Sequence, residues 1–125
     1  MARVMAVDDD PVIRGLLEVN LEMEGHEVVT AFDGQDALDK VVSMAPDLIL
    51  LDVMMPNVNG WQVAEALKGS ARTRHIPIVF LSARAMEADV QKGAALGVQA
   101  YVTKPFDPID LMELVNRLLA ERAAG

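Results

Sequence analysis

Two short runs of this sequence contain only large apolar residues: 48–51, read as LILL, and 78–81, read as IVFL. A strand with one face in water alternates apolar and polar residues, so an unbroken apolar run predicts a strand covered on both faces. Stretches with helical periodicity separate these runs from similar ones, which is typical of βα units around a parallel sheet. The sequence therefore predicts an α/β fold with these two runs as central strands.

The same alternation occurs five times along the chain. The predicted strands are 3–7, 27–31, 48–51, 78–82 and 100–103. The predicted helices are 11–24, 35–44, 59–69, 87–96 and a last one with the apolar stripe Leu111, Leu114, Val115, Leu118 and Leu119. Helix 87–96 is rich in alanine and offers little beyond Val90 and Ala94 to a core, so we expect it to be weakly anchored.

Composition narrows the class of protein. The 125 residues, 52% of them hydrophobic, suffice for a single core, and we expect one domain over residues 1–125. The absence of cysteine excludes disulfides and thiol chemistry, and His26 and His75 lack metal-ligand spacing. A formal charge of −8 would repel a phosphate backbone, and no apolar stretch approaches the ~20 residues of a membrane span. We expect a cytoplasmic protein that itself contacts neither nucleic acid nor membrane.

Reactive side chains stand at the ends of four of the five predicted strands. They are Asp8, Asp9 and Asp10 after the first, Asp52 after the third, Ser82 at the fourth, and Lys104 after the fifth. In open parallel sheets, ligands bind beyond the carboxyl ends of the strands, near the switch in strand order. Asp10 stands before Pro11 and supplies a helix N-cap, which leaves Asp8 and Asp9 without a structural explanation.

Asp8, Asp9 and Asp52 would meet if the first and third strands are neighbours. Three carboxylates in a partly dry crevice repel one another and raise a pKa, so the site requires positive charge. A hard divalent cation, preferably Mg²⁺, and the ammonium group of Lys104 are complementary sources of that charge. Such a site suits phosphoryl transfer, in which a carboxylate can act as nucleophile and form an acyl phosphate.

Four segments, VDDDP, LLDVMMPNVNGW, FLSA and YVTKPF, occur in this order over the full chain, each at a predicted strand end. Together they closely resemble the receiver domain of two-component response regulators of the chemotaxis-regulator type. The resemblance implies a single-domain flavodoxin-like (βα)5 fold, with a five-stranded parallel sheet of order 2-1-3-4-5 and helices on both faces. The P-loop, nucleophile-elbow and GxGxxG patterns are absent, which disfavours nucleotide-binding and serine-hydrolase functions.

The resemblance assigns an acceptor and a metal site by position. It implies that Asp52 is the phospho-accepting aspartate. Asp9 would be a direct Mg²⁺ ligand, Asp8 would act largely through water, and the backbone carbonyl of Met54 would be the third protein ligand. Met54 also lies at a position that varies within the family and tunes the phosphoryl lifetime. Its apolar side chain offers no group to orient an attacking water.

The resemblance also assigns the residues that respond to phosphorylation. Ser82 and Lys104 would contact phosphoryl oxygens, and Tyr101 corresponds to the switch aromatic. Pro105 corresponds to a cis proline that helps to aim the lysine. Arg84 occupies a second position that tunes lifetime, and it can pair with acidic neighbours.

The implied function is a phosphorylation switch. A sensor histidine kinase or histidine phosphotransfer protein donates a phosphoryl group to Asp52 with Mg²⁺ bound, and the surface of the fourth helix, fifth strand and fifth helix is remodelled. An unknown downstream effector or an appended output domain reads that surface, with the chain a monomer or a phosphorylation-promoted dimer. The chain would not be an enzyme, although it would assist its own phosphorylation and dephosphorylation.

Two alternatives come from other functional classes. A phosphorylation-independent interaction module would not require the full set of acids with Ser82 and Lys104. A Mg²⁺-dependent phosphatase with an aspartyl intermediate is the weaker alternative, because 125 residues leave no room for a cap over a substrate.

The first predicted helix has more apolar residues than one buried stripe requires: Val12, Ile13, Leu16, Leu17, Val19, Leu21 and Met23. The spare face either docks a kinase or phosphotransfer helix bundle or belongs to a broad core contact. The sequence leaves both explanations open.

Overall fold

The computed structural model describes residues 2–84 and 86–124, so both limits of the predicted domain, residues 1 and 125, lie outside the described residues. The elements are β1 (Arg3–Val7), α1 (Pro11–Met23), β2 (Glu27–Ala31), α2 (Gly34–Met44), β3 (Leu48–Asp52), α3 (Gly60–Lys68), β4 (Ile78–Ser82), α4 (Glu87–Leu96), β5 (Ala100–Thr103) and α5 (Pro108–Ala124). The predicted strands are confirmed, with β3 longer by one residue because it includes Asp52.

The five strands form one parallel sheet in the order β2-β1-β3-β4-β5, which confirms the predicted topology. Every residue of β3 and β4 is buried, as expected for central strands covered on both faces. The edge strand β5 is only partly buried. The most apolar segments of the sequence therefore hold the centre of the sheet, and reactive residues follow them at its carboxyl edge.

Helices cover both faces of the sheet. One face packs against α1 and α5 through Leu17, Leu21, Leu111, Met112, Val115 and Leu118. The other face packs against α2 and α3 through Ala37, Val41, Val63, Ala64 and Leu67. Among the helices of the described residues, none has the length and apolar content needed to cross a membrane.

The helices begin in different ways. Asp10 is the N-cap of α1, because its Oδ1 accepts a hydrogen bond of 2.9 Å from the N–H of Val12, and Pro11 follows at the first helical position. Asn59 and Gln62 form a reciprocal capping box at the start of α3. The N-cap of α4 is Met86, whose side chain makes no capping hydrogen bond. The first turn of α4 is therefore the least secured of these three.

The core face predicted for α4 is wrong. Val90 and Ala94 are exposed, and the buried residue of the helix is Gly93. A Cβ atom on Gly93 would lie 3.1 Å from Val98 and 3.4 Å from the Phe80 ring, so the missing side chain lets α4 approach the sheet closely. The expectation that α4 is weakly anchored agrees with this packing, because a glycine buries no side chain of its own.

We expect Gly60→Ala and Gly15→Ala to change stability in opposite directions. A Cβ at Gly60 would lie 2.5 Å from the backbone oxygen of Asp52, whereas a Cβ at Gly15, within α1, meets nothing within 4 Å. Gly60→Ala should lower the free energy of unfolding by roughly 1–3 kcal/mol. Gly15→Ala should raise it by roughly 0.5–1 kcal/mol through helix propensity. Urea denaturation measures both, and an unchanged midpoint for Gly60→Ala would contradict the close approach.

Candidate functional site

The register of the sheet places the ends of β1 and β3 side by side. Val7 pairs with Leu51, so Asp8 and Asp52 are neighbours at the carboxyl edge. One carboxylate oxygen from each of Asp8, Asp9 and Asp52 lies within 4.8 Å of the other two. The structure thus brings together the three acids that the sequence indicated, next to the point where the strand order switches.

Lys104 reaches two of these acids from the far side of β4. Its Nζ lies 2.8 Å from Oδ2 of Asp8 and 3.3 Å from Oδ1 of Asp52. The register of β4 and β5 pairs Ser82 with Thr103, and the N–H of Lys104 donates to the carbonyl of Ser82 at 2.8 Å. The peptide bond between Lys104 and Pro105 is cis. One ammonium group therefore contacts two members of a cluster of three carboxylates, and negative charge remains in excess.

Asp8 is fully buried, and both of its carboxylate oxygens are engaged by the protein. Oδ1 accepts the backbone N–H of Asp10 at 2.9 Å, and Oδ2 accepts the ammonium of Lys104 at 2.8 Å. The backbone carbonyl of Asp8 also accepts the guanidinium of Arg14 at 2.8 Å. Asp9, in contrast, is exposed. Asp8 is thus held in place by protein groups, while Asp9 remains open to a ligand from solution.

Burial, and next to it the negative charge of Asp8, raise the pKa of Asp52 from its ordinary value of 3.8 to about 6. The charge and hydrogen bond of Lys104 oppose this increase only in part, and a hydrogen bond with Asp9 adds to it. Asp52 is only 4% exposed. Its neighbours therefore leave the negative charge of a buried carboxylate incompletely neutralised.

Burial by itself would lower the pKa of Lys104, but its two acidic partners reverse the direction. The hydrogen bond to Asp8 and the charges of Asp52 and Asp8 raise the pKa above the ordinary value of 10.5. Lys104 is consequently a permanent cation at neutral pH. It supplies a fixed positive charge beside the Asp52 carboxylate.

The acidic cluster has the donor set of a hard divalent cation. Carboxylate oxygens within 4.8 Å of one another could hold a metal ion, and Mg²⁺ and Ca²⁺ bind oxygen ligands in this way. Met54 lies two residues beyond Asp52 in the β3–α3 loop, and its side chain is exposed. The residues present fit a divalent cation, since the excess negative charge of the cluster remains after Lys104 is counted.

Ser82 and Tyr101 are joined through one backbone segment. Ser82 is fully buried, and its Oγ accepts the N–H of Arg84 at 3.0 Å. The hydroxyl of Tyr101 donates to the carbonyl oxygen of Arg84. The half-buried Tyr101 ring meets Phe80 edge-to-face, with centroids 6.0 Å apart. The buried hydroxyl at the end of β4 is therefore connected to a ring on β5 through Arg84.

The sequence patterns do not indicate two contacts near the site. The first is made by Arg14, four residues after Asp10, whose guanidinium donates to the Asp8 carbonyl. Its place one turn into the helix that follows β1 was the available signal. Asp89 makes the second contact. The sequence indicated an acidic neighbour for Arg84, and Oδ2 of Asp89 accepts Nε of Arg84 at 3.0 Å.

The burial of the α1 residues distinguishes between the two explanations for the many apolar residues of this helix. Leu17 and Leu21 are buried, whereas Val12 is 75% and Met23 is 78% exposed. Val19 is also more than half exposed. A broad core contact therefore does not account for these residues, and α1 presents an uncovered apolar face.

Comparison with known proteins agrees with the fold. The family model described as the response regulator receiver domain matches residues 4–116. The chain is 40% identical over 119 residues to the DNA-binding dual master transcriptional regulator RpaA of Synechocystis sp., covering 95% of this chain and 49% of that protein. It is 40% identical over 117 residues to the alkaline phosphatase synthesis transcriptional regulatory protein PhoP of Bacillus subtilis, covering 94% of this chain and 48% of that protein. The chain thus spans about half the length of these relatives.

Solved structures with the same fold include two that cover nearly the whole chain. The chemotaxis protein CheY4 of Vibrio cholerae is 35% identical with a TM-score of 0.88, covering 94% of this chain and 98% of that one. A CheY-like response regulator receiver domain protein from Methanospirillum hungatei JF-1 is 27% identical with a TM-score of 0.92, covering 99% of this chain and 98% of that one.

We expect Asp52→Asn to stabilise the metal-free protein at neutral and alkaline pH. The folded protein binds a proton at Asp52 more tightly than the unfolded chain does, so its stability falls as pH rises from about 4 to about 6. Each tenfold difference in proton affinity corresponds to about 1.4 kcal/mol, so the gain from the variant approaches about 3 kcal/mol at pH 8 and vanishes toward pH 4.

Urea unfolding in EDTA across this pH range measures the effect. Asp39→Asn, at an exposed position on α2, is the control and should change little at any pH. A variant at Asp52 that is no more stable than the parent at pH 8 would contradict the cost assigned to the buried carboxylate.

Proposed function

Because the chain belongs to the response regulator receiver domain family, we propose that it is a phosphorylation switch that accepts a phosphoryl group on Asp52. The supporting observation is the ammonium of Lys104, 2.8 Å from Asp8 and 3.3 Å from Asp52, beside a third carboxylate from Asp9. An interaction module that never carries a phosphoryl group has no use for such a cluster, because burying these charges is costly. Residues 1–125 form the receiver domain in this proposal.

Asp52 acts as the nucleophile. Oδ1 faces Lys104, so Oδ2 attacks the phosphorus atom of a phosphohistidine or of a small acyl phosphate. The P–N or P–O bond to the donor breaks, the donor leaves with its electron pair, and an acyl phosphate remains on Asp52. Lys104 balances charge on one phosphoryl oxygen. Mg²⁺ held by Asp9, by Asp52, by the Met54 carbonyl and through water by Asp8 would neutralise charge on the others.

The added charge then draws in the residues beside it. The hydroxyl of Ser82 donates a hydrogen bond to a phosphoryl oxygen, and Tyr101 turns into the space that Ser82 leaves. The surface formed by α4, β5 and α5 changes shape as a result. The weak anchoring of α4, whose buried residue is a glycine, supports this direction of change because little packing opposes a shift of the helix.

Two exposed side chains beside the site tune the lifetime of the phosphoryl group. Met54 is 58% exposed and has no acceptor to orient a water molecule for hydrolysis. Arg84 is tied to Asp89 and lies two residues beyond Ser82. The chain itself assists both phosphorylation and dephosphorylation, because the acceptor Asp52 and the charge-balancing Lys104 both belong to it.

The phosphoryl donor docks on the uncovered apolar face of α1. Met23 of this face lines a cavity of about 350 Å³ together with Ile109 of α5, and both side chains are at least 70% exposed. An apolar surface of this kind marks an interaction site. The partner is a sensor histidine kinase or a histidine phosphotransfer protein, which presents the phosphohistidine near the carboxyl edge of the sheet.

The proposal also includes the downstream partner, the cellular compartment and the oligomeric state. Relatives about twice as long are transcriptional regulators by name, so either an appended output domain or a separate effector reads the altered surface. The chain is a cytoplasmic monomer or dimerises on phosphorylation, and it contacts no nucleic acid through this domain because it carries a charge of −8.

Incubation with acetyl phosphate and Mg²⁺ should add one phosphoryl group per chain, measured by intact-protein mass spectrometry. Asp52→Asn should remove the addition, and excess EDTA should abolish it in the unsubstituted protein. Asp39→Asn, which replaces an exposed carboxylate on α2, should be labelled normally. Labelling of Asp52→Asn to the same stoichiometry would contradict the assignment of Asp52 as the acceptor. Labelling in excess EDTA would contradict the requirement for a metal ion.

Substitution of the α1 face should separate docking from chemistry. We expect Val12→Ser combined with Met23→Ser to slow transfer from the histidine kinase by about tenfold or more, because exposed apolar anchors carry much of the binding energy of an interface. Labelling by acetyl phosphate should stay unchanged. Val42→Ser, at an exposed apolar position on α2, is the matched control. Equal kinase transfer in all three proteins would exclude α1 as the docking face.

A further inference from the structure

Arg84 contacts three parts of the molecule: the end of β4, the ring on β5 and the first turn of α4. Its N–H donates to Oγ of Ser82 at 3.0 Å, and its carbonyl accepts the hydroxyl of Tyr101. Its guanidinium Nε donates to Oδ2 of Asp89, on the first turn of α4, at 3.0 Å. The backbone of one residue therefore meets the buried hydroxyl and the aromatic ring, while its side chain meets α4.

The start of α4 has no side-chain cap in the part of the chain that the structure describes. The N-cap residue Met86 supplies no side-chain hydrogen bond, and the buried residue of the helix, Gly93, adds no side chain to the core. The Asp89 side chain is only 13% exposed, whereas that of Arg84 is 62% exposed. A mostly buried carboxylate needs its cationic partner more than an exposed one does, so the pair holds the Arg84 segment against α4.

A second contact ties α4 to α3. The ammonium of Lys92 lies 4.4 Å from the centroid of the Trp61 ring, and Trp61 in turn meets Phe80 edge-to-face at 4.9 Å. This contact secures the middle of α4, whereas the pair of Arg84 with Asp89 secures its first turn. The two contacts therefore act on different parts of the helix, and of the two it is the pair of Arg84 with Asp89 that is linked to Ser82.

We infer that the ion pair between Arg84 and Asp89 is a clip that positions Ser82 and Tyr101 and sets the cost of the switch. While the ion pair is formed, the Arg84 N–H donates to Ser82 Oγ and the Arg84 carbonyl accepts the Tyr101 hydroxyl. Ser82 must leave this N–H, or carry the segment with it, to reach a phosphoryl group. Asp89 is thus a positioning residue that acts through Arg84, and this inference rests on the proposed phosphoacceptor function of Asp52.

Amide hydrogen exchange in the unphosphorylated protein tests the clip without any phosphoryl transfer. Asp89→Asn should speed exchange of the position-84 amide by about two- to fivefold, the range expected for one partly exposed ion pair. Arg84→Gln, corrected for its intrinsic exchange rate, should do the same, and the double variant should add nothing further. The amide of Leu50 in the buried strand β3 is the reference for global opening.

Glu87→Gln is the matched control. Glu87 is also acidic, also lies in the first turn of α4 and accepts from Gln91 rather than from Arg84. It therefore reproduces the change in charge and in helix-dipole interaction without touching the clip. Equal exchange at position 84 in Glu87→Gln and Asp89→Asn, or additive effects in the double variant, would overturn the inference.

The second arm measures the initial rate of acetyl phosphate labelling at saturating Mg²⁺. Asp89→Asn should be labelled about two to five times faster than Glu87→Gln, because the cost of releasing Ser82 is reduced. Equal labelling rates in these two variants would refute the coupling of the clip to the switch. If the unsubstituted protein is not labelled at all, the phosphoacceptor assignment fails, while the exchange arm still decides whether the clip exists.

Discussion

The ammonium group of Lys104 is the interaction on which the rest of the site depends. It spans the carboxyl ends of β5, β1 and β3, at 2.8 Å from Asp8 and 3.3 Å from Asp52. Two nearly inaccessible carboxylates side by side would be strongly destabilising without that charge. The compensation is incomplete, because burial and the neighbouring Asp8 still raise the pKa of Asp52 to about 6. The folded protein thus maintains a carboxylate that gains from further positive charge, which is the condition that a metal-assisted acceptor requires.

The molecule combines a rigid sheet with one loosely held helix. Every residue of β3 and β4 is buried, so Asp52 and the Ser82 hydroxyl at their ends stand on well-packed supports. In contrast, α4 buries a glycine, lacks a side-chain N-cap and is tied by the contacts of Asp89 and Lys92. A charge added at the rigid edge therefore meets least resistance in the direction of α4. The same uneven packing explains how a local change at Asp52 could alter a distant surface.

The sequence predicted most of the architecture because its signals were local and strong. Unbroken apolar runs identified β3 and β4, and Asp10 before Pro11 identified the start of α1. The acidic cluster could be inferred because residues that follow parallel strands share one edge of the sheet. The contact from Asp89 to Arg84 could not be placed, since it depends on how α4 sits against the loop before it. The prediction of the core face of α4 was also wrong, for a physical reason. Gly93 carries no hydrophobic signal in the sequence, yet its small size lets α4 approach the sheet closely.

Chemical identification of the modified residue is the decisive test of Asp52 as the phosphoryl acceptor. Borohydride reduces an aspartyl phosphate to homoserine, so treatment after labelling converts the acceptor residue and peptide mass mapping reports its position. We expect homoserine at position 52 alone, dependent on both Mg²⁺ and the phosphodonor. Homoserine at position 8 or 9, or none in a protein that has gained a phosphoryl group, would contradict the assignment of Asp52 as the acceptor.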